Sequence, residues 1–306
     1  MLKPMNKVLR LGTRDSELAL WQATTVQKQL AAYGHKVELV PVKSTGDLNL
    51  DQPLYEMGIT GIFTKTLDLA LLKGNIDLAV HSMKDVPTQL PEGIQEMAVL
   101  KRASSTDILV VKDTVDYKSA CTIATGSLRR KAQWLHRYPH HNVVGLRGNV
   151  NTRLQKLADS DWSGAIFAQA GLERIDLLPN QYEALSWMIP APAQGAMLVV
   201  GRKNDKQAKE AAQPLNHAHT KSCTQVERTF LRKLEGGCTA PIGALATIEK
   251  DQLHFKGALF SLDGTTKIAV QRSTPIAETE GFAERCAEEI LENGGAALMS
   301  YIKSQL

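Results

Sequence analysis

The chain has 306 residues, enough for roughly two or three domains, and its 43% hydrophobic and 22% charged content is that of an ordinary globular protein. Its 36 basic and 32 acidic side chains leave a net charge of +4, and no lysine- or arginine-rich tract marks a nucleic-acid arm. Four scattered cysteines give neither a disulfide framework nor zinc-ligand spacing, and no segment approaches the ~18 apolar residues of a membrane span. The opening Met1–Lys7 carries no apolar signal region, so a cytoplasmic location is expected, with no metal, nucleic-acid or membrane partner.

Val8–Gly12 predicts a strand, and Thr13–Ser16 a turn with helix-capping candidates. Leu18, Trp21, Thr25, Val26 and Leu30 follow at helical spacing to a stop at Gly34, which places Trp21 in the core. Lys36–Val42 reads as a second strand. Ser44–Gly61, punctuated by Gly46, Pro53, Gly58 and Gly61, reads as a long mobile loop of the kind that covers a site. Phe63–Leu72 is helical and Gly74 closes it. In the segment that follows, Leu78–Val80 suits a buried parallel strand, and His81-Ser82-Met83-Lys84-Asp85-Val86-Pro87 lies just past its C-terminal end. That is where open α/β sheets bind ligands. His81 alone reads more readily as a structural histidine than as a catalyst. Asp85, a carboxylate beside Lys84 with Pro87 fixing the exit, is harder to assign to packing.

Lys101–Ser105 is polar and reads as a crossing between lobes. Three strand-turn-helix units come next. Thr122–Thr125 leads into Gly126-Ser127-Leu128-Arg129-Arg130 and a helix to Tyr138. Asn142–Leu146 leads into Arg147-Gly148-Asn149-Val150-Asn151-Thr152-Arg153, and Ala165–Ala168 into Ala170-Gly171-Leu172-Glu173-Arg174. Pro190–Ala196 is a second crossing, and Met197–Val200 a strand that returns to the first lobe. Two crossings between α/β lobes describe a clamp with its site in the cleft. A helix over Thr220–Leu234 precedes the glycine-rich loop Leu234–Gly243. Three strands (Ala244–Ile248, Leu253–Phe260, Thr266–Gln271) and a helix from Glu278 to Leu291, stopped by Gly294-Gly295, form a small α+β domain.

Arg14, Arg129, Arg130, Arg147, Arg153 and Arg174 all fall at strand-to-helix turns, where helix N-termini and guanidinium groups favour anions. Any one of them could simply face solvent; six at one topological position point to a ligand with several carboxylates or phosphates. Neither a P-loop nor a dinucleotide fingerprint is present, which favours carboxylates. Among such cations Asp85 suits the stabilisation of a cationic intermediate. Cys238 sits in the loop of three glycines and a proline, as either a covalent anchor or a small buried hydrophobe.

These blocks, together with Thr13-Arg14, Ser16, Leu18-Ala19-Leu20-Trp21-Gln22-Ala23 and Leu234-Glu235-Gly236-Gly237-Cys238, resemble the porphobilinogen deaminase (hydroxymethylbilane synthase) family, in order and from about residue 8 to the last helix. The resemblance implies two lobes of the type II periplasmic-binding-protein kind (1–101 with 198–218, and 102–197) and a C-terminal α+β domain (219–306). It also implies a monomer and a dipyrromethane cofactor joined by a thioether to Cys238. The implied reaction adds four porphobilinogen units head to tail, each losing ammonia, and releases hydroxymethylbilane. Asp85 matches the aspartate that holds pyrrole nitrogens. Ser82, Lys84, Thr125, Ser127, Arg129 and Arg130 match cofactor-binding positions. Arg14, Ser16, Phe63, Arg147, Arg153 and Arg174 match positions for substrate and growing chain. The chain departs from the family pattern in carrying Thr45 for an arginine, Glu56 and Thr60 for lysines, and Ala193 for a glycine. Two rival readings keep the same scaffold: a non-catalytic carboxylate-binding protein, and a divergent copy that loads cofactor but elongates poorly.

Overall fold

A computed structural model describes residues 8–42, 64–234 and 240–305. The Ser44–Gly61 loop, Phe63 and Cys238 lie outside the described residues. The described chain divides into two compact units, one formed by residues 8–42, 64–103 and 195–221, the other by 104–194, 222–234 and 240–305.

From the N-terminus the chain forms β1 (Leu9–Thr13), helix α1 (Glu17–Ala32), β2 (Val37–Pro41), α2 (Lys65–Leu72), β3 (Leu78–Ser82) and β4 (Ile94–Val99). Past Ala103 come β5 (Asp107–Val111), β6 (Thr122–Ala124), α3 (Leu128–Arg137), β7 (Asn142–Val144), α4 (Val150–Asp159), β8 (Gly164–Ala168), α5 (Gln169–Glu173) and β9 (Tyr182–Ala184). Past Gln194 the chain returns as β10 (Met197–Arg202), α6 (Lys206–Ala212) and α7 (Ala218–Lys233). It ends in β11 (Ile242–Glu249), β12 (Gln252–Phe260), β13 (Lys267–Pro275), α8 (Phe282–Ile290) and α9 (Ala296–Gln305).

The two five-stranded sheets share one plan. Their strand orders are β2-β1-β3-β10-β4 and β7-β6-β8-β5-β9. In each, the fourth strand is the one entered directly from a crossing, and it runs antiparallel to both neighbours. With their helices these sheets make the expected α/β architecture, and the three-stranded antiparallel sheet β11-β12-β13 with α8 and α9 makes the expected α+β element near the C-terminus. Strand periodicity sorts the core onto two sides: Ile108, Val110, Ala124, Ala165 and Phe167 pack on one face of the second sheet, and Leu109, Ile123 and Ile166 on the other. In the C-terminal domain Phe230, Phe255 and Phe282 pack edge to face at 5.0 and 6.2 Å between ring centres. Its β12–β13 turn, Asp263-Gly264, rests on α3 of the second lobe, where the Gly264 carbonyl lies 2.8 Å from His136 Nδ1.

One expectation needs correction. Trp21 is 37% exposed, because the buried stripe of α1 runs through Gln22, Ala23, Val26 and Leu30 and leaves the indole at its edge. The polar Gln22 earns its buried place by a side-chain hydrogen bond to β3. The helix after β13 stops at Gly294-Gly295 as expected, since Gly294, at φ +97°, turns the backbone; a further helix, α9, follows without a sequence-based expectation. Strands β4, β5 and β9 and helix α6 had no sequence-based expectation.

Candidate functional site

In the first unit the candidate residues gather at one edge of the sheet. Strands β1 and β3 are parallel neighbours, with Leu11 opposite Leu78 and Gly12 opposite Ala79, so their C-terminal ends lie side by side. Arg14 and Ser16 leave one end; His81, Ser82, Lys84 and Asp85 leave the other. Ser16 begins α1 in extended conformation without spending its hydroxyl on a helix cap. Gln22 Nε2 donates to Ser82 Oγ at 2.9 Å. Met83–Asp85 form a single 3-10 turn anchored by Met83 N donating to Ala196 O at 3.0 Å, which holds half-buried Lys84 and Asp85 just beyond the strand. His81 is buried, and its Nε2 has no hydrogen-bond partner among the described residues. Burial first, then the charge of Arg14, pushes the imidazole down to about 4, so it is neutral at neutral pH.

In the second unit β6, β7 and β8 are parallel, with Ala124 opposite both Val144 and Ala165. Their C-terminal ends therefore set Thr125 and Ser127, Arg147, and the α5 turn leading to Arg174 along one edge. Thr125 Oγ1 accepts from Ser127 N at 3.3 Å, and Ser127 caps α3 by accepting from Arg130 N at 3.4 Å. Asn149 caps α4 by accepting from Thr152 N at 2.9 Å, and Arg153 follows in its first turn. The turns are close: a Cβ on Gly126 would lie 2.4 Å from the Leu146 carbonyl oxygen. Arg174 is 8% exposed, and burial pulls its guanidinium down to about 10, still charged at neutral pH. Burial also lowers Arg147.

Arg129 and Arg130 are buried beside a residue the sequence reading missed. Asp107, the first residue of β5, is fully buried. Its Oδ2 accepts from Arg129 Nη1 at 2.7 Å; its Oδ1 accepts from Arg130 Nε at 3.0 Å, Arg130 Nη2 at 2.8 Å and Gln194 Nε2 at 2.9 Å. Burial alone would raise this carboxyl, but the charges of Arg129 and Arg130 outweigh it and hold the group well below the usual carboxylate range. Gln194 also donates to Ser105 O at 2.8 Å, so the network reaches both crossing segments on the second unit's side. Glu227 of α7, also fully buried, accepts from Ala193 N at 2.6 Å and Ala246 N at 2.7 Å. No local pattern singles out Asp107. Gln22 and Gln194 did lie inside blocks noticed in the sequence, and their polarity in otherwise apolar surroundings was the available signal. Among the described residues no group of three or more His, Cys, Asp or Glu is placed to hold a metal ion, and no helix is long and apolar enough to cross a membrane.

Comparison with known proteins bears on this arrangement. Residues 9–210 match the porphobilinogen deaminase dipyromethane cofactor binding domain, and residues 221–292 match the porphobilinogen deaminase C-terminal domain. The chain belongs to the porphobilinogen deaminase family. Relatives named porphobilinogen deaminase include that of Syntrophotalea carbinolica, 40% identical over 96% of each chain, and that of Chloroherpeton thalassium, 39% identical over 96% of each. The porphobilinogen deaminase of Chlorobium phaeobacteroides is 38% identical over 98% of this chain and 99% of its own. Among solved structures, the periplasmic VFT2 domain of Bordetella pertussis BvgS aligns with 67% of this chain and 85% of its own at 13% identity and a TM-score of 0.41. An ancestral cationic amino acid solute binding protein aligns with 68% and 87% at 16% identity and a TM-score of 0.39.

The described residues suit the cofactor after which the porphobilinogen deaminase domain is named. A pair of linked pyrroles bearing acid side chains needs several cations and hydroxyls, plus a carboxylate for ring N–H groups. The strand ends of the first unit supply Arg14, Lys84, Ser82 and Asp85; those of the second, taken by itself, supply Arg147, Arg174, Thr125 and Ser127. Guanidinium groups whose charge is already disfavoured by burial, as at Arg174, gain most from a carboxylate.

Proposed function

We propose that the chain is a transferase that polymerises four porphobilinogen units onto a dipyrromethane primer held covalently by Cys238, and releases hydroxymethylbilane. The reading is carried by one observation: the cofactor-binding-domain match over residues 9–210 contains Asp85 and all six arginines read from the strand-to-helix turns. The C-terminal match over 221–292 contains the cysteine loop.

When bound, dipyrromethane supplies a pyrrole α-carbon from which the chain grows. The protein's part is binding, orientation and charge stabilisation. Cys238 holds the primer through its sulfur. Ser82, Lys84, Thr125, Ser127, Arg129 and Arg130 hold its carboxylates, Arg14, Ser16, Arg147, Arg153 and Arg174 hold those of substrate and growing chain, and Phe63 gives the substrate an apolar contact. As ammonia leaves the aminomethyl carbon of porphobilinogen, the Asp85 carboxylate accepts the pyrrole N–H and stabilises the positive charge that develops on the ring. Thr45, Glu56 and Thr60, where the family pattern carries cations, weaken substrate capture and raise KM. The three-domain division of residues 1–101 with 198–218, 102–197 and 219–306, a monomeric state and a cytoplasmic location complete the proposal. The free thiols of Cys121, Cys223 and Cys286 suit a reducing compartment.

Intact-protein mass is the test. Protein from cells that make porphobilinogen should carry an adduct of two pyrrole units, absent in Cys238→Ser. Unmodified wild-type protein would refute the reading.

A further inference from the structure

The arginine pair on α3 is not used symmetrically. Arg130 donates through three nitrogens to the protein: Nε at 3.0 Å and Nη2 at 2.8 Å to Asp107 Oδ1, and Nη1 at 2.9 Å to Ile166 O. Arg129 donates through one nitrogen, Nη1, at 2.7 Å to Asp107 Oδ2 and 2.8 Å to Ile189 O. Its Nε and Nη2, the edge that forms a two-pronged bond with a carboxylate, make no hydrogen bond among the described residues. Both side chains are held to 6–7% exposure, so neither can swing out for a ligand without breaking the Asp107 contacts.

We infer that Asp107 is a positioning residue that divides the labour of the pair: it locks Arg130 as a brace, and by occupying Arg129 Nη1 it aims the Nε/Nη2 edge of Arg129 at a ligand carboxylate. Gln194 steadies the carboxylate by donating to Oδ1, and ties it to Ser105 O. This rests on the proposed function, which gives both arginines to the cofactor, and assigns the direct contact to one of them. The geometry follows from sequence spacing. Residues 129 and 130 are adjacent on a helix and point about 100° apart. A single buried carboxylate between them therefore meets one along its Nε–Nη2 side and the other at a tip.

Melting temperatures of full-length protein test the division in two backgrounds, the cofactor-loaded chain and Cys238→Ser. Arg130→Lys is expected to lower Tm equally in both, within about 2 °C. Arg129→Lys is expected to lower the loaded chain further than the unloaded one by about 5 °C or more, or to block loading in a chain that still folds. The reverse pattern overturns the inference, as does an equal loss for Arg129→Lys. If Arg130→Lys does not fold, arginine side-chain NMR on the otherwise unaltered chain decides. Arg130 Nε–H should exchange slowly with or without cofactor. Arg129 Nε–H should exchange quickly without cofactor and slow by about tenfold or more on loading. Slowing at Arg130 alone overturns the inference. Wild-type protein that never acquires the adduct fails the functional reading itself, a result visible in the mass before any variant is made.

Discussion

Gly126→Ala tests whether the two arginine-bearing turns of the second unit are held by backbone contact. A methyl group there would lie 2.4 Å from the Leu146 carbonyl oxygen and 3.5 Å from its carbon. Real Cβ atoms do not approach backbone that closely, and a carbonyl cannot rotate away as a side chain can. Alanine gains about 0.4–1 kcal/mol by restricting the unfolded chain. Overpacking a rigid contact costs about 1–3 kcal/mol, so the clash wins and a net loss near 1–2 kcal/mol is expected. For a unit of this size that is a fall in Tm of about 3–8 °C. Leu146 immediately precedes Arg147, so relief of the clash displaces that guanidinium as well as the Ser127 cap, and KM for porphobilinogen should rise by about tenfold. Calorimetry and steady-state kinetics measure the two effects. Gly145→Ala is the control, since a Cβ there meets nothing within 4 Å. If Gly126→Ala melts within about 1 °C of wild type and keeps its KM, the two turns are not coupled as argued.

Further expectations concern the buried polar groups. His81 has its pKa lowered on folding from 6.5 to about 4, so the unfolded state binds the proton more tightly and stability falls as pH drops through that window. The loss approaches about 3 kcal/mol below pH 4, and His81→Gln should flatten this acid limb in urea titrations. Asp107, depressed well below the usual carboxylate range, keeps its contribution throughout the same window. Glu227→Gln replaces one acceptor facing the buried Ala193 and Ala246 amides with a donor, and should cost about 2–3 kcal/mol by denaturant unfolding. Asp85→Ala should melt like wild type and load cofactor, yet turn over at least about 100-fold more slowly; wild-type turnover would remove the role given to the carboxylate.

Much of the site could be read from the chain because each strand-to-helix turn is a local event. A buried apolar run followed by glycine, a hydroxyl and arginine specifies a strand end, a cap and a cation within a few residues, as at Thr125–Arg130 and Leu146–Arg153. Partners distant in sequence were not legible. Asp107 lies 22 residues before Arg129 and 87 before Gln194, and only the pairing of β5 with β8 brings it under α3. The burial of Gln22 likewise goes with its bond to Ser82, 60 residues away. The sequence by itself determined which charges and hydroxyls stand at the ends of the parallel strands, since backbone geometry there depends on neighbours along the chain. Only tertiary structure decided which buried cations are already neutralised by a carboxylate and in what orientation, because desolvation and charge pairing depend on distances in space.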